Sequence, residues 1–257
     1  GCAGVMLGFT NIADYGLAHH LVIAPIMVGV VTLTLFVNRQ PKLENPLINL
    51  SILKNKYFLI GTIFISILFG CLNACTALIP VFIQGVAYNS AIISASVLLP
   101  GGLLIILFNI IGPLLANRIG IKKVLIIGCI LSIVGFASMT LYTQDSSFEF
   151  MTITQTIRFM GFGLVLMPAT TWTLTMVSDK VEDGTAVNNT LRQIAAAIGS
   201  SLGIVMVAIL AGGNIGHDLA SVVAFNQTSM IMLALHVILL ILAIVYIDEK
   251  EKILSSN

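Results

Sequence analysis

Seven times in 257 residues the chain runs through about twenty consecutive, mostly apolar residues. That is the length an α-helix needs to cross a hydrocarbon layer roughly 30 Å thick. Such a layer offers no water to unpaired backbone groups, so segments of this kind cross it as helices. The runs fall near 20–37, 57–83, 93–115, 123–142, 149–177, 186–211 and 227–247, and Gly1 to Phe9 reads as the tail of a further helix whose beginning is absent. The expected fold class is an all-α membrane protein with seven complete transmembrane helices plus a truncated one. Composition agrees: 9% of residues are charged, against about 25% in soluble domains. No basic stretch followed by a short apolar core and a cleavage site marks a signal peptide.

Charge placement tests this map, because successive spans alternate direction and each connection is assigned to a side by parity. Arg39, Lys42, Lys54, Lys56, Arg118, Lys122, Lys123, Lys180, Lys250 and Lys252 all fall on one side, and no Lys or Arg falls in a connection on the other. The positive-inside rule makes that side the cytoplasm, so the C-terminus is expected there and Thr10 to His19 outside. The bilayer is then the first partner of a multi-pass chain, and the resemblance given below implies the plasma (inner) membrane as its location. The longest connection on the basic side, 38–56, contains Pro41 and Pro46 and reads as a cytoplasmic linker after a helix pair ending near residue 37. Six helices follow over 57–247, in two sets of three with opposite orientation, and 248–257 reads as a cytoplasmic tail. Inverted three-helix repeats build many secondary transporters.

Two charges remain inside spans, Arg158 and Arg192. A guanidinium at the centre of a membrane helix costs about 2.5–3.5 kcal/mol, so such residues face protein or a watery cavity. Thr154 and Gln155 precede Arg158 by one turn on the same face, and Gly161 follows at i+3. Arg158 is therefore either a structural cation paired with carbonyls or a carboxylate, or a direct participant in transport. Arg192 can partly snorkel towards the basic side and reads as a structural charge. No acidic residue lies deep in a span: Asp14, Asp145 and Asp218 are outside, Glu149 is at an outer helix end, and the other seven fall on the basic side. Pro100, Gly101, Gly161, Gly163 and Pro168 are expected to bend or loosen their helices. Gly199 and Gly203 form a small-residue pair suited to close helix packing. Cys2, Cys71, Cys75 and Cys129 sit in apolar runs with no His or carboxylate beside them and read as small hydrophobes, so no metal site is expected. His236, the one intramembrane histidine, reads as a packing residue. A G-x-S-x-G match at 199–203 lies inside a helical run and is a chance match.

The segment Pro113 to Lys123, PLLANRIGIKK, resembles the cytoplasmic loop signature of the major facilitator superfamily at Leu115, Ala116, Arg118, Ile119, Gly120 and Lys122. Pro113 stands where the signature has its first glycine, and Asn117 stands where it has an aspartate. In this reading Asn117, Arg118, Gly120, Lys122 and Lys123 form the gating loop. RFMGFGLVLMPATT from Arg158 and AVNNTLRQIAAAIGSSLG from Ala186 resemble the tenth and eleventh core helices of the fourteen-helix drug:proton antiporter branch. The matches are Arg158, Gly161, Gly163 and Pro168, then Asn189, Arg192, Gln193, Ala197 and Gly199, with Ala195 and Ala196 replacing paired glycines.

The resemblance implies the six-helix C-terminal half of a transporter. Residues 1–37 would be the end of a helix pair inserted between the halves, and the N-terminal half of the same chain would be missing. It implies proton-coupled multidrug efflux by alternating access, small amphipathic or cationic substrates, no cofactor beyond the proton gradient, and a coupling carboxylate in the missing half. It also places Asn73, Asn109, Gln155 and Arg158 as substrate-cavity candidates. Read from the residues alone, the first three are better taken as interhelical hydrogen-bonding groups. Two other readings stay open: a transporter of one metabolite on the same fold, and a membrane scaffold. No nucleotide, metal or nucleophile constellation points to an enzyme, and no nucleic-acid partner is expected.

Overall fold

A computed structural model describes residues 1–16, 19–40, 43, 46, 48–87, 89–212 and 219–247. Pro41, Lys42, Glu44, Asp218 and the expected tail at 248–257, with Lys250 and Lys252, lie outside the described residues. Among those described there are nine α-helices and no strand: α1 (Cys2–Thr10), α2 (Ile12–Tyr15), α3 (His20–Arg39), α4 (Lys56–Val81), α5 (Ala91–Ile119), α6 (Ile121–Met139), α7 (Phe148–Thr175), α8 (Val181–Leu210) and α9 (Leu219–Tyr246). Short 3-10 turns stand at Leu50–Lys54 and Ser178–Lys180, and a π turn at Phe82–Val86 follows α4. Seven of the helices are long and apolar enough to cross a membrane.

The chain forms two compact units. The first joins residues 1–74 to 172–205, and the second joins 75–171 to the residues from 206 onward. In the first, α1 and α3 meet through glycines. A methyl group on Gly29 would lie 2.5 Å from the Val5 nitrogen, and one on Gly4 would lie 2.8 Å from the Pro25 oxygen. Close backbone contact of this kind replaces the hydrophobic drive that helices lack in lipid. The opposite side of α3 leaves Met27, Val28, Val31 and Leu35 exposed, as a lipid-facing surface should.

The linker of this unit folds onto the helix ends. Asn55 Oδ1 caps α4 by accepting from Tyr57 N at 3.0 Å and Phe58 N at 3.1 Å, while its Nδ2 donates to Met176 O at 2.9 Å, just past the end of α7. One side chain thus satisfies donors of one helix start and an acceptor of another helix end. Ile52, Phe58, Val177 and Val187 bury together beneath it. Asn49 N donates to Asp183 Oδ1 at 3.0 Å in the first turn of α8.

In the second unit, α9 packs along α6. Its inward face carries Ser221, Phe225, Thr228, Met232, His236, Leu239 and Ala243, all buried, at the three-to-four-residue spacing of one helix face. Thr228 and Ser229 hydroxyls return to their own backbone, at Ala224 O and Phe225 O, both at 2.9 Å. The outward face exposes Met230, Val237, Ile241 and Val245.

Helix limits depart from the apolar runs at their charged ends. Pro113 to Lys123 is not a loop: α5 continues through Pro113, Asn117 and Arg118 to Ile119, and α6 opens at Ile121. Gly120, at φ 90° and ψ 145°, is the whole connection, since glycine takes that φ without a Cβ penalty. Likewise α8 begins at Val181 rather than 186, and α9 at Leu219 rather than 227, while Tyr142 lies beyond the end of α6 at Met139. Hydropathy marks the part of a helix suited to hydrocarbon. Backbone pairing carries the helix on into the polar interface until a breaker or cap ends it.

Candidate functional site

Helix α7 is built to be gripped on two sides. A methyl group on Gly161 would lie 2.6 Å from both Gly128 O and Ser132 N of α6, and one on Gly163 would lie 2.9 Å from Ile105 O of α5. Pro168 and Leu164 close against Gly112 of α5, where an added Cβ would stand 3.0 Å from Leu164 O. Helix α7 continues without interruption through Gly161, Gly163 and Pro168, and α5 through Pro100 and Gly101. The glycines of α7 therefore act first as contact points between backbones.

One turn before Gly161, α6 again offers a glycine. Gly135 faces Arg158, and a methyl group there would lie 2.5 Å from the Arg158 Cβ. Arg158 thus leaves α7 where α6 has no side chain, and it is completely buried. Its Nε donates to Gln155 Oε1 at 2.9 Å. Its guanidinium carbon stands 4.5 Å from the ring centre of Phe159, 5.5 Å from Phe162 and 5.6 Å from Phe136. Aromatic faces attract a cation most strongly where water is excluded.

The network continues from Gln155, itself fully buried. Its Nε2 donates to the Tyr142 hydroxyl at 3.1 Å, and that hydroxyl also pairs with Thr154 Oγ1. The Gln155 amide oxygen lies 4.0 Å from the Cys75 thiol. Tyr142, past the end of α6, stacks on Phe225 of α9 at 5.8 Å and 10°, and its backbone oxygen accepts from Asn226 Nδ2 at 3.1 Å. On the opposite flank, His236 of α9 meets the Phe136 and Phe162 rings at 4.5 and 5.2 Å, and its Nδ1 pairs with Met232 O at 2.9 Å. Tyr142, Asn226, the three phenylalanines and Cys75 are members that sequence reasoning did not pick out. The clustering of Phe159 and Phe162 around Arg158 in one helix was the available signal.

Of the four cavity candidates, the structure brings Gln155 and Arg158 into one enclosed network. Asn73 is half-buried and donates within its own helix, to Phe69 O at 2.8 Å. Asn109 is half-buried in α5, with its Oδ1 enclosed and unmatched among the described residues. Arg192, also half-buried, stands over the Phe69 ring at 5.0 Å. Near it α8 and α4 cross backbone to backbone: an added Cβ on Gly70 would lie 3.0 Å from Ala195 O, and Gly199 abuts Gly70 itself. Gly203 is buried one turn further on. In the proposed gating segment, Asn117 and Arg118 are exposed on the last turn of α5, where a cation favours the helix dipole. Lys122 and exposed Lys123 stand at the start of α6, where a cation opposes the helix dipole. No group of His, Cys, Asp and Glu among the described residues could hold a metal.

Aliphatic outer faces, glycine-mediated helix crossings and polar groups turned inward define a multi-pass membrane protein. Comparison with known proteins narrows this class. The model of the Major Facilitator Superfamily matches residues 7–200, and the chain belongs to that superfamily. It is 33% identical over 226 residues to the lincomycin resistance protein LmrB of Bacillus subtilis, covering 87% of this chain and 46% of the relative. It is 31% identical over 208 residues to LmrB of Listeria monocytogenes, covering 80% and 44%. With the multidrug transporter protein MdtP of Bacillus subtilis it shares 31% identity over 195 residues, covering 74% and 34%. The chain thus spans less than half the length of these curated relatives.

Proposed function

We propose that this chain is part of an exporter of drug-like molecules that works by alternating access in the plasma membrane, with its basic connections and C-terminus in the cytoplasm. The observation that carries this reading is the 33% identity to a lincomycin resistance protein, which extends over 226 residues. Proton re-entry is the proposed energy source. Arginine cannot give up its proton at working pH, and no acidic residue lies in the interior of a span of this chain. The proton-carrying carboxylate is accordingly assigned to sequence beyond these residues. Half-buried Asn73 and Asn109 are proposed to contact small amphipathic or cationic substrates, whereas Gln155 and Arg158 are enclosed in the network of α7.

Cells carrying the full-length protein should survive lincomycin better and extrude a fluorescent cationic dye, and a proton uncoupler should abolish both effects. Efflux that persists under the uncoupler removes proton coupling. Absence of any drug phenotype or dye efflux, with the protein present in the membrane, overturns the export reading.

A further inference from the structure

We propose that α4 and α8 enclose a water-binding crevice towards the basic ends of the two helices, with the Phe58 ring as its gate. Contacts at two levels fix which residues of the helices meet. At the lower level, a methyl group on Gly184 of α8 would lie 3.3 Å from the Phe58 ring of α4. At the upper level, one on Gly70 of α4 would lie 3.0 Å from Ala195 O of α8, and the Arg192 guanidinium carbon stands 5.0 Å from the centre of the Phe69 ring. Four polar residues lie between. Thr62 follows Phe58 by one helical turn, and Asn188 follows Gly184 by one turn. Ser66 precedes Gly70 by one turn, and Arg192 precedes Ala195 by one turn. All of these residues belong to the first compact unit.

Each of the four has an enclosed polar atom, Thr62 Oγ1, Ser66 Oγ, Asn188 Oδ1 and Arg192 Nε, with no hydrogen-bond partner among the described residues. Hydroxyls on other helices return to the carbonyl one turn back, as those of Thr185 and Thr228 do. Thr62 and Ser66 leave that option unused. Buried polar atoms in folded proteins pair with protein groups or with ordered water. Thr62 and Asn188 are buried by this chain itself, so a further polypeptide does not reach them, whereas a molecule the size of water does once a side chain moves. Water also suits the set chemically. It donates to Asn188 Oδ1, accepts from Arg192 Nε and does either with the two hydroxyls. An anion would be repelled by the Asn188 oxygen, and a metal cation by the Arg192 charge.

The two ends of the seam differ in what can yield. At Gly70 the helices meet backbone to backbone, with Gly199 against it, and nothing there can swing aside. At the basic end the closure is made of side chains, Phe58 packed with Val177 and Val187. Rotation of the Phe58 ring therefore opens Thr62 and Asn188 towards the end of the unit that carries Lys56 and Lys180, while the glycine crossing stays as the pivot.

The test reads hydration, so its outcome is independent of the export reading and of membrane orientation. Full-length protein with Thr62→Cys as its one reactive position, all other cysteines replaced, is treated with a small water-soluble methanethiosulfonate in membranes broken open to expose both faces. Asn188→Cys is treated in the same way, and either position decides if the other variant is not made. Both should react slowly, and Phe58→Ala should accelerate both by at least about tenfold. Ile63→Cys, on the exposed side of α4, should react at one rate with and without Phe58→Ala. Absence of reaction at Thr62→Cys and Asn188→Cys in the Phe58→Ala background, or rates that Phe58→Ala leaves unchanged, would overturn the proposal. Equal acceleration at Ile63→Cys would overturn it too, since the whole helix would then have loosened. Should Phe58→Ala not reach the membrane, Phe58→Leu decides, with a smaller acceleration confined to the same two positions.

Discussion

A guanidinium taken out of water must recover several interactions at once, and those described around Arg158 are of two kinds. Gln155 accepts from Nε, and three phenyl rings lie within 5.6 Å of the charge. Gly135 makes room for the stem. The network gives an ordering of effects. Gln155→Leu removes the acceptor of a charge-assisted bond and should cost the full-length protein about 1.5–3 kcal/mol, whereas Tyr142→Phe, which loses neutral hydrogen bonds, should cost about 1 kcal/mol. Thermal unfolding of the purified variants measures both, and the opposite order would mean that the network is not centred on the cation. Arg158→Ala should lower dye efflux, and Arg158→Lys should retain part of it, because an ammonium keeps the attraction to the rings but not the planar Nε donor. Unchanged efflux in Arg158→Ala would show the residue to be a passenger. In the sequence, the burial cost of Arg158 and the shared face with Gln155 were both visible. Tyr142 and Asn226 were not, because hydropathy placed one at the last residue of a span and the other at the last residue of a connection, and nothing local joins them.

Between elements, the recurring device is a glycine facing a neighbour's backbone. It was legible in the sequence as a set of small residues, although there Gly161 and Gly163 read as points of bending. The structure gives each a partner: Gly161 meets α6, and Gly163 meets α5. Spacing alone cannot distinguish a loosened helix from a closely packed one, since both want the side chain absent. Adjacent positions in α5 separate the two effects. An added methyl at Gly101 runs into the Phe159 ring, whereas none of the surrounding atoms lies within 4 Å of one at Gly102. Gly102→Ala should therefore leave thermal stability unchanged or raise it by up to about 1 kcal/mol. Gly101→Ala should lower it by about 1–3 kcal/mol. Similar melting temperatures for the two would remove steric contact as the explanation. At the other crossing, Gly199→Val should reduce the amount of folded protein in the membrane, since Gly70 leaves no space for a side chain.

For the whole molecule, the count of apolar runs gave the architecture, and the motifs gave the family. Seven membrane-length helices stand where seven apolar runs were counted, because hydrocarbon imposes one length on every span. The ends were less legible, as the loop expected at Pro113 to Lys123 shows. Charged residues stop a hydropathy count but do not stop a helix. Orientation can be tested on the same segment. Lys123→Cys in otherwise cysteine-free full-length protein should react with a membrane-impermeant maleimide in inside-out vesicles and not in intact cells. Reaction in intact cells would invert the map. Cys2, Cys71, Cys75 and Cys129, all within apolar helices, are among the cysteines to be replaced for that background.

The single residue between α5 and α6 limits how those two helices can move. With Gly120 as the whole connection, any change in their angle must be taken up by one pair of backbone torsions and the fraying turns beside it, with no slack chain to absorb displacement. A displacement of the end of α5 is therefore passed on to the adjoining end of α6, whereas a change of tilt is taken up at the pivot. Helix α6 is the helix whose Gly135 and Phe136 meet Arg158. Lengthening the pivot with extra glycines would decouple the two arms, leaving each folded while motion at one end no longer reaches the buried cation.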